Sequence, residues 1–93
     1  MTQTTILASG TTAANSTDIV VASGDAVKVC IFSINPGASL SGKSLDVYEK
    51  TAGASNFLGS LDTTKPSAIL SGPGTYFVSR PVLAIAYGVN LDA

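Results

Sequence analysis

Apolar residues in this chain recur at alternate positions within short runs, and no run of useful length repeats them at helical spacing. Runs rich in Val, Ile, Tyr, Phe and Thr alternate with clusters of Gly, Pro, Asn and Ser, the signature of an all-β protein. Strands are expected at TQTTILA near the start, at 18–22, 26–33, 44–51 and 56–62, around 68–70, and at 75–80 and 83–90. Ser23-Gly24-Asp25 between the second and third of these predicts a hairpin with a three-residue loop. Alternation assigns Val27, Val29 and Ile31 to one face, Leu45 and Val47 inward with Asp46, Tyr48 and Lys50 outward, and Ile85, Tyr87 and Val89 together. Gly59 weakens or bulges its strand. Seven or eight strands at such close spacing predict a single antiparallel β-sandwich over residues 1–93, jelly-roll or Greek-key like; a small barrel is the other closed solution.

The densest stretch is LSGPGTYFVSRP at 70–81. Gly72-Pro73-Gly74 predicts a tight corner in which either glycine can take a positive φ. In the strand that follows, Tyr76, Val78 and Arg80 share one face and Thr75, Phe77 and Ser79 the other. With the first face in the core, Tyr76 plays the part of a corner tyrosine whose hydroxyl bonds the backbone just upstream. Phe77 then stands outside, either as plain surface or rim packing or as an interface element. Arg80, at the strand end before Pro81, is positioned to hold a carbonyl or carboxylate within the protein or to reach a neighbouring subunit. The irregular stretch from Asn35 and Pro36 to Lys43 carries Leu40 in a polar setting and reads as a solvated connection or a contact arm.

Charge narrows the partners. Five basic and six acidic residues give a net charge of −1, with no basic cluster, which disfavours nucleic acid. The 45% hydrophobic content argues against disorder. No apolar run approaches the roughly 20 residues that span a bilayer, and the start lacks a secretory pattern, so a protein made in the cytoplasm with no membrane partner is expected. A chain this short buries little more than about 60% of its unfolded surface, so a partner or a homo-oligomer is expected to add stability.

Candidate chemistry is sparse. Cys30 is the only cysteine and the chain has no histidine, so Cys30 reads as a small buried hydrophobe and not as a nucleophile. Asp46 and Glu49, three apart on a strand, point to opposite faces and cannot act as an acid pair. Asp18, Asp25 and Asp62 flank turns, and Asn15-Ser16-Thr17 reads as a turn. No calcium-loop spacing, zinc ligand set or phosphate-binding GK[ST] pattern is present, so neither a metal nor a cofactor is expected, and an enzyme is disfavoured.

Residues 74–81 (GTYFVSRP) and 88–92 (GVNLD) resemble segments of small virion proteins of tailed bacteriophages. The resemblance covers about the last quarter of the chain. It implies a capsid decoration, or cement, protein: a small β-sandwich on the outside of the shell, often a trimer, tying major capsid subunits together. On that reading Asn35, Pro36, Leu40, Lys43, Phe77 and Arg80 are the expected interface, and Gly72, Pro73, Gly74 and Tyr76 a structural corner. A head-fibre or tail component fits the same residues. The rival class is a glycan-binding sandwich, for which outward Tyr48 beside Asp46 and Lys50 is the best single residue.

Overall fold

The computed structural model describes residues 3–34, 40 and 42–92. Among them there is no helix, and nine strands form two antiparallel sheets: β1 (Gln3–Gly10), β2 (Ala14–Asn15), β3 (Ile19–Val21), β4 (Ala26–Phe32), β5 (Leu45–Thr51), β6 (Ala54–Leu61), β7 (Ser67–Ser71), β8 (Gly74–Arg80) and β9 (Tyr87–Asp92). One sheet runs β1-β9-β4-β7, the other β2-β8-β5-β6 with β3 also on β8.

Strands β2 and β3 lie along one edge of β8 and act as a single interrupted strand. Buried Ser16 bridges the break: its amide donates to Val78 O (2.8 Å), and its hydroxyl oxygen accepts from the Val78 amide (2.9 Å). The turn expected at Asn15-Ser16-Thr17 is therefore a break in an edge strand. With β2 and β3 taken together, the pairings nest as first with last, second with seventh, third with sixth and fourth with fifth. That is one long hairpin rolled into two sheets, the jelly-roll form of the sandwich.

Alternation builds the core as the pattern predicts. Val29 and Ile31 from one sheet meet Leu45, Val47, Tyr76 and Val78 from the other, and Ile19, Val21, Leu61, Leu70, Leu83, Tyr87 and Val89 complete it. Val29, Leu45, Leu61, Val78 and Val89 are fully buried, each contributing about 1.5–3 kcal/mol through removal from water. Leu40 also lies in this core at 5% exposure, so it anchors its connection and does not project from a contact arm. Cys30 is half-buried on the outer face.

Two local expectations are corrected. Ser23-Gly24-Asp25 does reverse the chain, with the Asp25 amide on Ala22 O (3.0 Å), but β3 pairs with β8 and β4 with β7 and β9. The turn carries the chain from one sheet to the other, since both strands have better long-range partners than each other. The last strand begins at Tyr87, later than the expected 83. Leu83 instead turns into the core, its amide on Thr11 O (2.8 Å).

The strand directions sort the connections into two poles. Tight turns at 22–25, 52–53 and 72–73 lie at one end, together with Gln3 and Asp92. At the other end lie connections 11–13, 62–66 and 81–86, together with Phe32 and Leu45.

Candidate functional site

At the long-connection pole the segments are stitched to one another. Besides the bond from Leu83 to Thr11, the Ser33 hydroxyl donates to Ala86 O (2.9 Å) and Lys43 Nζ donates to Val82 O (2.9 Å). Beneath them lies Arg80, only 4% exposed. Its Nε donates to Thr12 O (2.7 Å), and its Nη1 donates to Ala8 O and Tyr87 O (both 2.8 Å). The guanidinium thus serves its own chain, the intramolecular of its two expected roles, because β8 carries it inward among carbonyls at the ends of β1 and β9. Buried there, it has no charge to present to a neighbour. What this pole does present is Ile34 and Val82, at 75% and 62% exposure. Sequence reasoning missed both, since each belongs to a connection where alternation carries no information. Asn35 and Pro36 lie outside the described residues.

A cap of hydrogen bonds also orders 62–66. The Asp62 carboxylate accepts from the Thr64 hydroxyl (2.7 Å) and from the Lys65 and Thr64 amides (both 2.9 Å). These bonds, the Thr64 hydroxyl foremost, hold its pKa below the ordinary 3.8.

The second exposed feature is the outer face of the β2-β8-β5-β6 sheet. Register sets Phe57, Tyr48 and Phe77 in one row across β6, β5 and β8. Tyr48 and Phe77 stack with centroids 5.3 Å apart, and Phe57 meets Tyr48 edge-on at 5.9 Å. Lys50 Nζ stands 5.5 Å from the Phe77 centroid and pairs with Asp18 at 2.9 Å. Phe77 is on the outer face as expected, yet only 8% of it is exposed. Tyr48 and Lys50 cover it, so the exposed aromatic of the row is Phe57, at 59%. Finding Phe57 from sequence required the register, which is set by a bulge at Leu58: Val47 faces Gly59 while Tyr48 faces Phe57. A polar row flanks the aromatics, with the Ser44 and Ser60 hydroxyls donating to Asp46 Oδ1 (3.2 and 3.1 Å). Glu49 faces Tyr76 in register, whereas Asp46 faces Ser79, on opposite sides of the sheet.

The corner at 72–74 is architectural. Tyr76 is buried and its hydroxyl donates to Ser71 O (2.5 Å). The Gly72-Pro73 peptide is cis. Neither glycine uses its freedom to take a positive φ; among the described glycines that falls to Gly24, Gly42 and Gly53. Close approach is what demands glycine here: a Cβ at Gly72 would lie 1.9 Å from Ala22 O, and one at Gly74 would lie 2.7 Å from the Tyr76 hydroxyl. Residues 74–80 and 88–92 of the resembling segments lie in β8 and β9, each an inner strand of its sheet.

Among the described residues no three His, Cys, Asp or Glu side chains converge on a point that could hold a metal ion. Comparison with protein-family models, curated proteins and solved structures found no match.

Proposed function

We propose that this chain is a non-enzymatic virion structural protein that binds the outside of a bacteriophage capsid and stabilises the shell by bridging major capsid subunits. It would act as a homo-oligomer, without cofactor or metal. The observation that carries this reading is the long-connection pole: three cross-links fix the segments, and Ile34 and Val82 project from it. Apolar side chains on an ordered backbone give up little entropy on docking, which suits a module that works by contact. A protein that binds only correctly juxtaposed subunits stabilises the assembled shell by mass action, and many copies add through multivalency.

Purified protein added to capsids that lack it is expected to raise their disruption temperature in a scanning-fluorescence melt. Ile34→Asp and Val82→Asp are expected to abolish that rise while the isolated protein still folds. Absence of saturable binding to capsids sinks the proposal.

The aromatic row of Phe57, Tyr48 and Phe77, beside the hydroxyl-bearing row at Asp46, favours a second reading as a glycan-binding sandwich. A glycan array separates the two: hits lost on Phe57→Ala support the second reading, and a blank array removes it.

A further inference from the structure

The sandwich is open along one flank. Strands β6 and β7 end their respective sheets, so each pairs on one side only among the described residues. Between them runs a cleft of about 200 Å³ whose lining includes the core side chains Val47, Leu61 and Leu70. The cleft follows from two small residues at inward-facing positions, Gly59 on β6 and Ala68 on β7. A Cβ added at Gly59 would meet nothing within 4 Å. On the same lining, next to the gap at Gly59, stands Leu58, at 49% exposure.

Natural proteins protect exposed strand edges with charges, proline, extreme shortness or bulges. Strand β6 is eight residues long, ASNFLGSL, with no charge and no proline, and the bulge at Leu58 is its one irregularity. An apolar knob, Leu58, and a largely apolar hole, whose lining also includes Ser60 and Lys65, occupy adjacent positions on this edge. Such an edge is complementary to itself: antiparallel pairing about a two-fold axis between residues 58 and 59 puts Leu58 of each copy opposite Gly59 of the other. We propose that β6 is a homodimerisation edge. In the dimer the second copy's β6 extends the β2-β8-β5-β6 sheet, and its Leu58 fills the cleft over Gly59. No charge on either β6 opposes the approach. This contact is separate from the long-connection pole, so the dimer and the capsid reading stand or fall independently.

Light scattering on the purified full chain tests it. A molar mass of two chains is expected, falling to one chain in Leu58→Asp and in Gly59→Leu. Gly59→Leu fills the cleft from within, so its monomer is also expected to melt above the Leu58→Asp monomer. Leu58→Asp alters an exposed side chain and keeps the test valid should Gly59→Leu fail to fold. A monomeric wild type, an assembly of any other size, or a dimer that Leu58→Asp leaves intact overturns the proposal.

Discussion

Arg80 takes a positive charge into the protein and meets carbonyl oxygens there; neither ion pair among the described residues includes it. Carbonyl dipoles from Ala8, Thr12 and Tyr87 supply the negative potential that a carboxylate would otherwise provide. Removing the side chain strands the Tyr87 carbonyl, whose bond to Arg80 is the buried one of the three, and an unsatisfied buried polar group costs about 1–3 kcal/mol. Arg80→Met is therefore expected to lower unfolding stability by about 1–3 kcal/mol in urea titration. Arg80→Lys is expected to recover only part of this, because an ammonium lacks the planar fork that reaches several carbonyls at once. From sequence Arg80 was an arginine at the end of a strand, on the same face as Tyr76 and Val78. That parity placed it inward, but its acceptors lie 7 to 72 positions away and belong to strand ends that no local pattern pairs. Phe77 is the converse case. Parity put it on the outer face correctly, and its burial came from Tyr48 and Lys50 on the adjacent strand.

At the scale of elements, the β5-β6 hairpin departs from the residues its turn favours. Ala52 holds φ at 29° and Gly53 at 82°, so both central positions are left-handed. Alanine is disfavoured there, whereas Asn-Gly is the preferred pair for such a turn. Ala52→Asn is expected to stabilise the protein by about 0.5–1 kcal/mol, seen as a melting temperature higher by a few degrees. Most strands were legible because each buries one face only, so that Leu45 and Val47, or Val29 and Ile31, announce both the element and its orientation. Pairing was not legible. Ser23-Gly24-Asp25 signals reversal equally well for a hairpin and for a crossing between sheets, and the choice rests on β8 and β7, some 50 residues further on. Leu40 was misjudged for a related reason: in a connection, burial depends on what the fold brings over it.

The whole molecule inherits a simple pH profile from its composition. With no histidine, it lacks the one side chain that ordinarily changes charge between about pH 5 and 8, so its melting temperature is expected to stay level across that range. Asp62 supplies an acid limb. Its pKa is lowered in the folded state, so its contribution is present above 3.8 and is lost as pH falls through the folded value. Thermal melts at stepped pH are expected to decline below about pH 4, less steeply in Asp62→Asn.

Nesting the first strand with the last fixes one more property. Gln3 faces Asp92 in register, so both ends of the described chain leave the sandwich side by side, at the pole of tight turns. The molecule therefore has a tethering end and a free end. A label joined at Gln3 or at Asp92 starts from the same pole, the one opposite Ile34 and Val82.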